Sequence, residues 1–398
     1  MRLAKKPLPP LWIGVAIYFY AFIAIGIAEA GLGVLLPSIL TAYSLTPATV
    51  TLLFVSQISG YITAALTSSL VSQRLGLGRM LLGAASLLTL ALLTYALAPF
   101  WLLMVAAGTL LGLGIGFIDA GINTAMVQDA RSAHLLGALH GFYGIGAFSG
   151  PAIATTLLAL GLSWRQVYGV LASLISLLMV GLFAALVYRY PSLVKPPAEQ
   201  ESPAGAHLKQ ALRTPLVFLF GAFLFVYVGI EASLSNWAYS VQVMDRSTPA
   251  LLAGYSVSAY WLGLTVGRFG LGYWLRSLGA IRTITLSLGL LLVGLLCWWQ
   301  LPNPLISLPL VGFALAAIFP TIIWLIPKRL PAALVPAAVS FATSAASVGA
   351  ALIPAGLGWV ASRSDLGVIP LLMLPLAIAM GGLHFWLTRS PREVAEQP

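Results

Sequence analysis

Apolar residues fill this chain in long blocks, and the polar residues are confined to short stretches between them. Twelve blocks follow from the pattern: 11–38, 47–73, 79–97, 100–128, 133–160, 164–190, 215–243, 249–277, 279–300, 304–326, 334–362 and 366–388. A helix crosses the roughly 30 Å hydrocarbon layer in about 20 residues, so each block predicts one membrane span. The one long break, Pro191–Pro215, is rich in Pro, Glu, Lys and Ala and reads as a flexible linker. The predicted organisation is an N-terminal six-helix bundle over 1–190, a cytoplasmic linker over 191–214 and a C-terminal six-helix bundle over 215–398. The fold class is an all-α membrane protein. Arg2, Lys5 and Lys6 before an apolar run, with Ala28-Glu29-Ala30 downstream, mimic a secretory signal. The run from Leu11 to Leu36 exceeds a signal core of about 7–15 residues, so it is read as a retained first span.

Composition agrees. Of 398 residues 60% are hydrophobic and 8% charged, and the mean hydropathy is +0.98, which excludes a soluble domain. The net charge of +10 would suggest a nucleic-acid partner in a soluble protein. Here the charges sit between spans, and no nucleic-acid partner is expected. With the N-terminus in the cytoplasm, all of the 20 Lys and Arg except Arg165, Arg246 and Arg363 fall on the cytoplasmic side. The positive-inside rule then predicts both termini cytoplasmic, in a prokaryotic inner (plasma) membrane. Cys297 is a single cysteine within an apolar run, so no disulfide framework exists.

The two halves repeat. Gly60, Leu75, Gly76 and Arg79 match Gly263, Leu278, Gly279 and Arg282 at a spacing of 203 (263 − 60). The same spacing pairs Gly26 with Gly229, Gly146 with Gly349, and Pro151 with Pro354, while Glu29-Ala30 and Glu231-Ala232 correspond within one residue. Parallel six-helix halves related by an axis along the membrane normal are the architecture of major facilitator transporters. The loop Ser69-Leu-Val-Ser-Gln73-Arg74-Leu-Gly76-Leu-Gly-Arg79 resembles that superfamily's signature G-x-L-a-D-r-x-G-r-r, with Gln73 in place of the acid. Gly267-Arg268-Phe-Gly-Leu-Gly272-Tyr-Trp-Leu-Arg276-Ser-Leu-Gly279-Ala-Ile-Arg282 resembles it more closely. Val34-Leu-Leu-Pro37, the Asp119/Asn123 pattern, His140 with Gly146, Tyr227-Val-Gly229-x-Glu231 and Ile318-Phe-Pro320-Thr321 are similar to motifs of the fucose-permease-like branch. The resemblance implies a fold of twelve helices in two pseudo-symmetric bundles, in which spans 1, 4, 7 and 10 line a central cavity. Spans 3, 6, 9 and 12 would face lipid.

Three acids lie well inside spans: Glu29 in span 1, Asp119 in span 4 and Glu231 in span 7. None falls in spans 3, 6, 9 or 12. Ionisable groups at bilayer depth are costly and by default functional. Asp119 is the first candidate for proton coupling, with His140 and Glu29 beside it. The family resemblance implies that an acid at the Asp119 position couples protons and that the His140–Tyr143 region of span 5 contacts polar ligand. An imidazole near a carboxylate can tune proton affinity or bond a hydroxyl. Candidate substrate-binding residues are Glu29, Gln57, Asn123, His140, Tyr143, Glu231, Asn236, Trp237, Tyr260, Trp261 and Trp324, which supply carboxylates, amides and flat aromatic faces. The aromatics are equally suited to anchoring at the membrane interface. Gly146-x-x-x-Gly150-Pro151 resembles an antiporter signature lacking its final glycines, and reads as close packing with a hinge. Pro320 and Pro354 are expected to kink spans 10 and 11.

Away from their ends the span cores show no Lys or Arg, which disfavours an anionic substrate. No metalloprotease, nucleophile-elbow or phosphate-loop motif occurs, so no catalytic residue, metal or cofactor is expected. These features predict a proton-coupled symporter of a neutral hydroxylated solute, a monosaccharide, acting as a monomer in lipid, with H+ or Na+ as coupling ion. A proton-coupled exporter of cationic or amphipathic compounds and a non-transporting receptor or scaffold are the alternatives.

Overall fold

The computed structural model describes residues 11–128, 135–188, 190 and 209–389. Residues 129–134, where the fourth predicted span gives way to the fifth, most of the linker and both chain ends lie outside the described residues. Among the described residues twelve helices are long and apolar enough to span a membrane. They are α1 (Trp12–Ala42), α2 (Pro47–Leu75), α3 (Leu77–Leu97), α4 (Trp101–Val127), α5 (Gly137–Ala159), α6 (Trp164–Val187), α7 (Pro215–Asp245), α8 (Ala250–Leu278), α9 (Ala280–Gln300), α10 (Pro304–Arg329), α11 (Ala332–Ala361) and α12 (Val368–Arg389). Successive helices run in opposite directions. One end of the molecule therefore carries the starts of α1 and α7 and the ends of α6 and α12 (the terminal face), and the other carries the α1–α2 turn and its counterparts (the far face).

Local chemistry sets the helix ends. Thr46 caps α2 by accepting the Thr49 N–H, with Pro47 in the first turn, where a missing N–H costs nothing. Ser163 and Gln166 form a reciprocal capping box at the start of α6. Gly76 and Gly279, matched in the repeat, carry φ values of +82° and +75°. Each closes one helix and opens the next in the left-handed region that glycine alone adopts without strain. In α10 the interruption falls at Ala317, one turn before Pro320, because a proline ring leaves the carbonyl four residues earlier without its N–H. The three arginines expected on the far face each have a local partner. Arg165 donates to the Ala98 carbonyl and lies over Trp164, Arg246 donates to the Trp298 and Trp299 carbonyls, and Arg363 lies over Trp359. Arg165 and Arg246 tie far-face turns to neighbouring helices, while Arg363 folds back on its own helix.

Glycines at helix crossings build the two bundles. A side chain at Gly60 would overlap the Thr109 carbonyl, and one at Gly112 the Gln57 carbonyl, so α2 and α4 meet backbone to backbone. The same crossing recurs between α8 and α10, where Gly263 rests on Pro309 and Gly312 on Tyr260. Gln57 and Tyr260 are themselves 203 residues apart. Gly26 and Gly146 bring α1 onto α5; Gly229 and Gly349 bring α7 onto α11. Outside these pairs α3 packs on α4 and α6, and α9 on α10 and α12.

The bundles meet along α5–α8, α2–α11 and α1–α7. Gly254 sits on Thr155 and Gly144 on Thr265, so α5 and α8 stay together over most of their length. Near the far face Gly33 of α1 rests on the Ser235 carbonyl of α7, Gly358 of α11 on Pro47 of α2, and Phe54 packs edge-on to Trp237 at 5.8 Å.

Overpacked sites of this kind typically cost about 1–3 kcal/mol. Gly112→Val and Gly312→Val should therefore each lower the melting temperature of the purified protein by several degrees. Gly289→Ala, where the added carbon meets open space, should not lower it.

Candidate functional site

In the N-terminal bundle α4 places Asn123 one turn after Asp119. The Asn123 amide donates to Asp119 Oδ1 at 2.8 Å and to the Asp119 backbone carbonyl at 2.9 Å. The other carboxylate oxygen, Oδ2, accepts the Tyr61 hydroxyl at 2.7 Å. Tyr61 reaches it because α2 is drawn against α4 at Gly112 and Gly116, both of which abut the Tyr61 backbone. Both oxygens of a half-buried acid are thus bonded, which meets the requirement for a charged or polar group removed from water. His140 on α5 is exposed, stands edge-on to Phe22 at 5.6 Å, and lies within electrostatic reach of Asp119.

Glu29 on α1 is exposed to the space between the bundles and accepts the Tyr143 hydroxyl of α5 at 2.9 Å. The α1–α5 crossing supplies that neighbour: Gly26 lies directly against the Tyr143 carbonyl. In the C-terminal bundle Glu231 Oε2 accepts the Tyr227 hydroxyl, one turn earlier on α7, and Arg268 Nη2 of α8 lies 3.8 Å from the same oxygen. The Tyr260 hydroxyl bonds the Glu231 backbone carbonyl at 3.3 Å. The charges of Asp119 and Glu231 both act on Glu29, and that of Arg268 acts on His140 and Tyr143. Three acids, an imidazole and a guanidinium from both bundles therefore lie within electrostatic reach of one another.

The other sequence candidates are placed around this cluster in different ways. Gln57 donates to the Tyr95 hydroxyl at 3.2 Å, on the α3 side. Asn236 is half-buried beside Gly33 at the far-face contact. Trp237 is fully buried, with its indole N–H on the Pro354 carbonyl at 3.0 Å. Tyr260 is buried, and so is Trp261, which stands edge-on to Tyr143 across the bundle boundary at 6.1 Å. The Trp261 indole N–H has no hydrogen-bond partner among the described residues. Trp324 is half exposed, with the Lys328 ammonium over its ring at 3.7 Å.

Three site residues escaped the sequence reading: Tyr61, Tyr227 as a partner of Glu231, and Arg268. The expectation that span cores lack basic residues away from their ends is corrected here, because α8 carries Arg268 to Glu231. Its position ten residues before the end of α8 was the available signal. It stands inside a loop-like motif, where an arginine reads as a surface charge.

The Major Facilitator Superfamily model matches residues 17–354. The chain is 24% identical to the glucose/mannose transporter GlcP of Bacillus subtilis, a match covering 96% of each sequence. Among solved structures it superposes on the nucleoside transporter NupG with a TM-score of 0.80, at 13% identity over 95% of this chain and 100% of the other. It superposes on a D-xylose-proton symporter with a TM-score of 0.72, at 15% identity over 93% and 97%. Twelve spanning helices, a duplicated six-helix plan and a match across most of its length make this chain a member of the Major Facilitator Superfamily.

Proposed function

We propose that the protein is a secondary active transporter that couples proton entry to uptake of a small neutral hydroxylated solute, a monosaccharide. The observation that carries the reading is the clustering of Glu29, Asp119, Glu231, His140 and Arg268 within electrostatic reach of one another, contributed by both bundles, each beside a hydroxyl, amide or charge partner. Sugar hydroxyls both donate and accept, and this lining offers both. Its charges are of both signs: Glu231 stands against Arg268, Asp119 lies near His140, and Glu29 is held by a hydroxyl alone. A cation or an anion would each meet a like charge. The full-length relationship to a glucose/mannose transporter supports the same solute class.

The mechanism follows from what each group can do. Asp119 holds or releases a proton while Tyr61 and Asn123 keep its carboxyl in place, and His140 answers its change of charge. Glu29, exposed and held by a single tyrosine hydroxyl, meets the solute and the proton at the centre. Alternating access requires the units 1–190 and 215–398 to rock about this site, with 191–214 as their tether. The seam of α5 and α8 serves as the axis. The far-face contacts of Gly33 with Ser235 and of Phe54 with Trp237 close one side. With both termini in the cytoplasm, this arrangement is the one that releases solute inward.

Two outcomes test the proposal. In proteoliposomes an inward proton gradient should drive uphill glucose accumulation. Asp119→Asn should abolish that accumulation while leaving sugar exchange within about threefold of wild type; accumulation unchanged in the variant would remove Asp119 from coupling. Gly33→Leu should hold α1 off α7, reduce net transport at least tenfold, and open the far face. In a Cys297→Ser background, a cysteine at Asn236 should then react faster with an impermeant maleimide, and an unchanged rate would contradict the closing role given to this contact.

A further inference from the structure

Arg268 has no counterpart in the N-terminal bundle. The repeat places Ala65 at the equivalent position (268 − 203), whereas the glutamates recur as Glu29 and Glu231. The C-terminal bundle therefore adds a guanidinium to a shared carboxylate. At 3.8 Å the Arg268 Nη2–Glu231 Oε2 pair is attractive but longer than a charge-assisted hydrogen bond of about 2.7–2.9 Å. Glu231 Oε2 is already taken by the Tyr227 hydroxyl. Both members of the pair remain partly accessible, with side-chain exposures of 27% for Arg268 and 16% for Glu231. A donor-only fork and an acceptor-only carboxylate thus stand side by side, each with capacity left over.

Adjacent ring hydroxyls of a sugar present the complementary pair: one oxygen to accept from the guanidinium, and one O–H to donate to the carboxylate. A carboxylate or phosphate ligand would be attracted by Arg268 but repelled by Glu231 and Glu29, so a neutral diol suits this pair better. We propose that Arg268 and Glu231 form a clamp for a vicinal diol of the transported sugar and that Arg268 determines which hydroxyls are read. The inference rests on the sugar-transport reading above and adds to it the chemical group recognised.

The test is a binding cycle on the purified full-length protein with D-glucose and each of its monodeoxy analogues, using wild type, Arg268→Gln and Arg268→Lys. Wild type should lose about tenfold or more in affinity for the analogue lacking the oxygen that Arg268 contacts. Arg268→Gln should lose a similar factor for glucose and nothing further for that analogue, while its discrimination against analogues altered elsewhere on the ring persists. Arg268→Lys keeps the charge without the fork, so it should fall between the two and serves if the glutamine variant does not fold. Unchanged glucose affinity in the variants, or an equal added loss for every analogue, would overturn the clamp and leave the transporter reading standing. Wild-type protein that binds no sugar of the panel would overturn both.

Discussion

A charge in hydrocarbon must find water or a partner, and the rest of this structure depends on how that demand is met. Translocon-based scales put the cost of an unpartnered aspartate, lysine or arginine at the middle of a span at about 2.5–3.5 kcal/mol. Glu29, Asp119, Glu231 and Arg268 all stand deep inside spans. None is left on a lipid-facing scaffold helix. Each is met by a tyrosine hydroxyl, an amide or an opposite charge. Those partners come from neighbouring helices in most cases, so the helices must approach closely for the charges to be tolerated at all.

Glycine provides that approach. The crossings at Gly112 and Gly116 bring Tyr61 to Asp119, and the crossing at Gly26 and Gly146 brings Tyr143 to Glu29. The same crossings recur at Gly263 with Gly312 and at Gly229 with Gly349, where the polar cargo differs: Glu231 is served from its own helix by Tyr227 and from α8 by Arg268. Duplication copied the mechanics, and the two copies then carried different chemistry. The N-terminal copy holds an acid, an amide and an imidazole, to which the proposal gives proton handling, while the C-terminal copy holds a donor–acceptor pair, to which it gives the solute.

Much of this was legible in the sequence, because a bilayer makes span length and mean hydropathy nearly sufficient to locate helices. The twelve blocks, the 203-residue repeat and the three acids on spans 1, 4 and 7 all follow from depth along the chain. Azimuth and partnership do not. Depth says that Trp237 is near the far face, but only the packing shows its indole N–H bound to the Pro354 carbonyl. Likewise Tyr61 reads as one more aromatic in an apolar run until the α2–α4 crossing sets it on Asp119. Arg268 was hidden for a related reason: near a span end an arginine reads as a surface charge, unless the tilt and length of the helix carry it inward. The interruption at Ala317 was displaced from its cause, since Pro320 removes a hydrogen bond one turn before itself.

The central claim is that sugar and proton share one path through this cavity. The most direct measurement uses proteoliposomes with no imposed proton gradient, a pH-sensitive dye in the lumen, and glucose added outside. The account predicts that downhill sugar entry carries protons with it, so that the lumen acidifies in step with uptake and stays unchanged with the Asp119→Asn variant. Sugar entering at the same rate with no change in luminal pH would contradict it.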